Sequence, residues 1–191
     1  MSKRTTKRAL SAVVSLVVLG LAFATQQGWI SSARQAAEQS QPGLYSIDHF
    51  VDGDTIAVQM NDRTETIRMI GIDTPETHKP NAPVQCYGPA AAAYTKHLIG
   101  ANQVRLSSDP KSTNRDRYNR LLRYVYLPDG KMVETELIKN GYGFAYTSFP
   151  FTKSDEFVNA QQQAKSDGKG LWGNCQPFQE SNGRWQTEDS S

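Results

Sequence analysis

Residues 51–77 read VDGDTIAVQMNDRTETIRMIGIDTPET, and the fold is legible in how their polar and apolar positions alternate. Thr55–Met60 and Glu65–Ile72 are β-branched or alternating runs, and each is preceded by a turn-rich cluster, Asp52-Gly53-Asp54 and Asn61-Asp62-Arg63. That pattern reads as consecutive antiparallel strands. Leu44–Phe50 adds a strand upstream, and Val104–Leu106 and Leu121–Leu127 add two downstream. Three helices are expected between and after them. One runs from Pro89-Ala90 to Ile99 and is stopped by Gly100; a second covers Met132–Asn140 and stops at Gly141; a third starts at Ser154 and ends near Asp167. Proline in the first turn, glycine past the end and acids near the start are the signals used. Five short strands and three helices within one unit predict a small α+β domain whose sheet could close into a five-stranded barrel.

Outside that unit, residues 1–8 are basic and Ala9–Ala24 form a 16-residue run without charge, ending Ala22-Phe23-Ala24. This reads as a secretory signal cut after Ala24, or as an uncleaved anchor that is just short of a comfortable span. Residues 25–43 read as a linker, 44–175 as the folded domain, and 176–191 as a polar, disordered tail. Export bears on the two cysteines. In an oxidising compartment Cys86 and Cys175, 89 positions apart, are a disulfide pair; otherwise they are two separate thiols.

The 191 residues cannot accommodate a barrel of eight strand–helix units, and 38% hydrophobic content excludes a disordered protein. Two cysteines and three histidines exclude zinc fingers. The formal charge of +2 arises in the leader: without residues 1–24 there are 17 basic and 19 acidic side chains, and residues 44–175 hold 15 of each. Attraction to a polyanion therefore has to come from local clustering. Gly168–Gly173 fits G-x-G-x-x-G, but it follows a helix and contains Leu171-Trp172, so it reads as a helix stop with an apolar anchor.

Asp54, Asp73 and the backbone of Thr74, which Pro75 biases to an extended conformation, are the donors of a hard-oxygen cation site. Asp-Gly-Asp alone would suit any tight turn, and surface salt bridging is the plainer use of the second segment. Arg115, Arg117, Arg120 and Arg123 form the densest cationic stretch of the domain, with Tyr118 as a stacking face. Carboxylates, guanidiniums and a divalent cation are the groups that phosphodiester hydrolysis needs. For Arg68 and Asp73 to reach one site, the strand has to end, bend or bulge near Gly71, because strict alternation sends them to opposite faces.

In order along the chain, VDGDT at 51–55, RMIGIDTPET at 68–77, CYGPAAAAYTK at 86–96, DRYNRLLRYVY at 116–126, DGKMVETELIKNGYGFAY at 129–146 and GLW at 170–172 resemble the staphylococcal nuclease (thermonuclease) family. The resemblance runs from about Ile47 to Trp172. It implies a five-stranded OB-fold barrel with three helices and Ca²⁺-dependent cleavage of DNA and RNA, single strands favoured, by a monomer. In that family the 5′ P–O bond breaks and 3′-phosphate ends remain. By position, Asp54, Asp73 and the Thr74 carbonyl fall on the Ca²⁺ ligands, Glu76 on the general base, and Arg68 and Arg120 on the phosphate-gripping arginines. Arg117, Tyr118 and Tyr146 fall on substrate-binding positions. Asn119 departs from a usual glycine, Ser148 from a second pocket tyrosine, and His78–Gln85 carries one lysine instead of a basic cluster. A non-catalytic nucleic-acid-binding barrel is the alternative, and membrane contact is expected only if residues 1–24 stay attached.

Overall fold

The computed structural model describes residues 43–77 and 83–190. The leader, its cleavage after Ala24 and nearly all of the linker lie outside the described residues, as do positions 78–82 of the expected loop. Strands β1 (Ile47–Asp52), β2 (Thr55–Met60) and β3 (Arg63–Met69) form an antiparallel meander. Its second turn places Asn61 and Asp62 at φ 51° and 61°, the left-handed pair that matches the twist of a tight hairpin. Strand β4 is the two-residue Ile72–Asp73, β5 is Arg105–Ser107 and β6 is Leu121–Tyr126. β6 runs parallel to β3, with Leu122 beside Arg68, and antiparallel to β5. The main sheet is therefore ordered β1-β2-β3-β6-β5.

The helices stand close to where their caps predict: α1 at Gly88–Ile99, α2 at Val133–Lys139 and α3 at Ser154–Ser166. A single extra turn, α4 (Leu171–Asn174), follows Gly170, and Leu171 is fully buried. The core unites Ile56, Val58, Ile67 and Leu121 of the sheet with Ile99, Leu137 and Phe157 of the helices, all inaccessible to solvent. Each such side chain contributes about 1.5–3 kcal/mol of transfer free energy.

Two expectations change. The five strands do not close through a continuous ladder. Among the described residues the two edges meet at one isolated bridge, where Tyr45 and Val104 exchange N–O bonds of 2.8 and 2.9 Å. β5 is only three residues long, so little of that edge remains to pair with the start of β1. The C-terminal segment is not disordered. Strands β8 (Phe178–Gln179) and β9 (Trp185–Gln186) form a hairpin, and Thr187 is 2% exposed. The remaining short strand, β7 (Phe144–Ala145), pairs with β4.

Candidate active site

Asp54 closes the turn between β1 and β2, and Gly53 before it leaves no room for a side chain: a Cβ there would lie 2.7 Å from Thr74 Oγ1. Asp54 Oδ1 accepts from the Thr55 hydroxyl at 2.9 Å, and Oδ2 accepts from the Thr74 amide at 3.0 Å. Both aspartates are buried, at 6% exposure for Asp54 and 8% for Asp73.

The Arg68–Asp73 alternation problem is resolved by the end of β3. The strand stops at Met69, Gly71 turns the chain at φ +73°, and Ile72-Asp73 departs to pair with β7. A Cβ on Gly71 would meet the Phe151 ring at 2.5 Å, so packing and backbone both require glycine there. Asp73 is thereby brought back to the Arg68 side. Arg68 Nη2 lies 3.1 Å from Asp54 Oδ2 and 3.2 Å from Asp73 Oδ1, while Nη1 donates to the Met69 and Ile72 carbonyls at 2.7 Å each.

Burial pushes the Asp73 carboxyl above its usual range; Arg68 opposes this, and the facing Asp54 charge adds to the rise. Asp52 is pushed up to about 6, first by burial and then by Asp54. Its Oδ1 accepts from the Gly53 amide at 2.8 Å and the Thr77 hydroxyl at 2.9 Å, and its carboxyl also meets Glu76. Glu76 is held by its backbone, its amide donating to Gln85 Oε1 at 2.8 Å and its carbonyl accepting from the Gln85 amide at 3.0 Å. The donor set is suited to a hard cation. Two buried carboxylates converge on one point, burial resists the ionisation of Asp73, and among the described residues the Thr74 hydroxyl facing the same turn is buried without a hydrogen-bond partner.

The cationic stretch separates into two kinds of arginine. Arg123 is fully buried and donates to Asn114 and the Leu122 carbonyl, and Arg115 pairs with Glu65 at 3.0 Å; both hold the fold. Arg117 and Arg120 instead flank the exposed Tyr118 ring, 4.8 and 5.4 Å from its centroid. Arg120 is closed on Asp116, with Nε and Nη2 each 2.7 Å from Oδ2. Asn119, at the usual glycine position, adopts φ +65°, a left-handed conformation that asparagine tolerates. The structure thus gathers Asp54, Asp73, Thr74 and Arg68 into one cluster with Glu76 attached through Asp52. Arg117, Tyr118 and Arg120 form a second cluster in the loop that leads into β6. Tyr146 is tied to the first by its amide, which donates to the Gly71 carbonyl at 2.8 Å.

Two neighbours of the site were not among the expected residues. Asp52 was visible in the turn motif but read only as turn chemistry. Arg184, a lone arginine in a polar tail, carried no signal, yet its Nε donates to Asp73 Oδ2 at 2.8 Å. The disulfide between Cys86 and Cys175, with Cα atoms 6.0 Å apart, joins the segment after Glu76 to the base of the C-terminal hairpin.

The match with known proteins covers much of this arrangement. The family model described as "Staphylococcal nuclease homologue" matches residues 66–174, more than half of the chain. A thermonuclease of Staphylococcus hyicus is 38% identical over 174 residues, spanning 90% of this chain and 99% of that protein. Endonuclease YncB of Bacillus subtilis is 44% identical over 129 residues, 66% of this chain and 60% of its own length. The SPbeta prophage-derived endonuclease YokF of the same species is 45% identical over 129 residues, 43% of its own length. The stretch that turns at Gly71 and delivers Asp73 to Arg68 lies inside the matched region, and this chain belongs to the staphylococcal nuclease homologue family.

Proposed function

We propose that this protein is a Ca²⁺-dependent nuclease that hydrolyses the phosphodiester bonds of DNA and RNA, breaking the 5′ P–O bond and leaving 3′-phosphate ends. It is a hydrolase of the staphylococcal nuclease type. The observation that carries the finer reading is the meeting of Asp54 and Asp73 with the Arg68 guanidinium at 3.1 and 3.2 Å, in a buried setting. Asp54, Asp73 and the Thr74 carbonyl would hold the Ca²⁺, which when bound supplies positive charge to a phosphoryl oxygen. Arg68 donates to a second phosphoryl oxygen and is oriented for this by its two backbone carbonyl partners. Arg120 supplies the other guanidinium once it turns from Asp116 to the substrate, since a phosphate offers the same bidentate geometry as a carboxylate. Glu76 accepts the proton of the water that attacks phosphorus. The bond to the 5′ oxygen then breaks, and that oxygen takes a proton from solvent.

Single strands are favoured in this reading because Tyr118 and Tyr146 present ring faces that only unpaired bases can cover. The protein acts as a monomer, exported or anchored through residues 1–24. Incubation with single-stranded DNA, followed by end-group analysis, tests the proposal. Activity should vanish in EGTA and return with Ca²⁺, and Glu76→Gln should lower kcat at least about a thousandfold while oligonucleotide binding persists. Full turnover in chelator would overturn the metal assignment, and unchanged turnover in Glu76→Gln would remove Glu76 from the reaction.

A further inference from the structure

The C-terminal hairpin lies beyond residue 174, where the family match ends, yet it delivers a cation to the site. Its placement is firm. Trp185 stacks on Phe144 at 6.2 Å between ring centroids and meets Trp172 edge-on at 5.2 Å, with Lys165 Nζ 4.5 Å above it. The strand continues into the segment that follows Glu76. Thr187 donates to the Cys86 carbonyl at 2.8 Å, the Cys86 amide donates to the Glu188 carbonyl at 2.7 Å, and the Ser190 amide donates to the Val84 carbonyl at 2.7 Å. The disulfide pins the base.

Next to this anchor, Arg184 spans from Asp73 to Tyr146. Nε donates to Asp73 Oδ2 at 2.8 Å, and the guanidinium carbon stands 5.9 Å from the Tyr146 ring centroid. Its side chain is 38% exposed, and among the described residues its two Nη groups have no hydrogen-bond partner. A half-exposed ion pair is worth about 0–1 kcal/mol, too little to account for so firm a mounting.

Resting on the nuclease reading, we propose that Arg184 is a substrate-binding residue. Its Nη groups grip a phosphodiester of the strand that lies across Tyr146, next to the bond being cut. Asp73 orients the guanidinium through Nε and leaves the pronged edge for the phosphate. The hairpin is therefore a strap that extends the family's site with a third phosphate-binding arginine.

Arg184→Ala and Arg184→Lys in the full chain test this, with steady-state cleavage of a short single-stranded DNA in Ca²⁺. Binding of the same DNA is measured in the Glu76→Gln background across a salt series. For Arg184→Ala, KM should rise about tenfold, as loss of one charge-assisted hydrogen bond requires, with kcat within twofold. The slope of log affinity against log salt should fall by about 0.7, the value for one phosphate contact on a single strand. Arg184→Lys should restore the slope but only part of the affinity, because an ammonium lacks the fork. Unchanged KM and slope would overturn the proposal. Tighter Ca²⁺ binding by Arg184→Ala with an unchanged slope would also overturn it, making Arg184 a stand-in for the metal. Wild-type protein that binds DNA without cutting it would instead refute the nuclease reading, and the salt slope would still decide Arg184.

Discussion

The two charged clusters are built on opposite principles. Around Arg68 the backbone does the positioning. Two aspartates approach from separate turns, a glycine reverses the chain, and the guanidinium is held by two carbonyls and two carboxylates while only 12% of its side chain is exposed. Around Arg120 the positioning is done by side chains on a loop. Asp116 accepts from the Tyr118 and Arg120 amides through Oδ1 and from the Arg120 side chain through Oδ2, while Tyr118 stands 65% exposed. The first cluster is preorganised, and in the proposed reaction the contacts that hold the free structure are the ones that would serve the chemistry. The second is poised: its arginine has a carboxylate partner in the free protein that a phosphate can replace.

The sharpest way to break this contrast is to make the same substitution in both places. Arg120→Lys should lower kcat about 10²–10³-fold with stability within about 0.5 kcal/mol, because the group it loses is on an accessible loop. Arg68→Lys should lower kcat at least as much and also cost about 2–3 kcal/mol of unfolding free energy, since the Met69 and Ile72 carbonyls and the two carboxylates lose their fork. Urea unfolding in EGTA beside steady-state kinetics separates the two; equal stability losses would end the distinction.

The turn that makes the first cluster is the next target. Gly71→Ala should cost about 2–4 kcal/mol, combining a left-handed conformation with overlap on the Phe151 ring. Catalysis should fall with it, because Asp73 would be displaced from Arg68; a fully active, equally stable variant would show that the reversal tolerates a side chain.

The corresponding position in the second cluster should be milder. Asn119→Gly is expected to leave urea stability within about 0.5 kcal/mol, and Asn119→Ala to cost about 1 kcal/mol, since alanine disfavours φ +65° and residue 119 is exposed. A loss in Asn119→Ala as large as in Gly71→Ala would make the loop as rigid as the sheet end.

How much of this was readable beforehand follows the same division. β2 matches its expected span because both of its ends are marked by turn residues and its core positions are apolar. The three principal helices were marked by proline, glycine and acidic residues at their ends. β3 was expected to continue to Ile72, but it ends at Met69. Local pattern cannot register Phe151 against Gly71 or the pull of β7 on Ile72-Asp73. The hairpin at 178–186 was read as tail because two short polar strands have no periodicity of their own. Its order comes from Trp185 entering an aromatic cluster with Phe144 and Trp172 and from a disulfide that joins Cys175 to Cys86 across 89 residues, partners outside the hairpin itself. Arg184 could not have been singled out for the same reason.

The amino-acid order by itself determined the principal strands and the three longer helices, the resemblance to a nuclease family and the residue types gathered for phosphate chemistry. These depend on side-chain period, turn chemistry and motif spacing, which are local along the chain. Only the tertiary structure decided that Asp73 returns to Arg68, that Arg120 rests on Asp116, that the sheet edges meet at one bridge and that the last hairpin reaches the site. Each of those outcomes is a choice among partners distant in sequence, and it is made by packing and charge pairing that exist only once the chain has closed on itself.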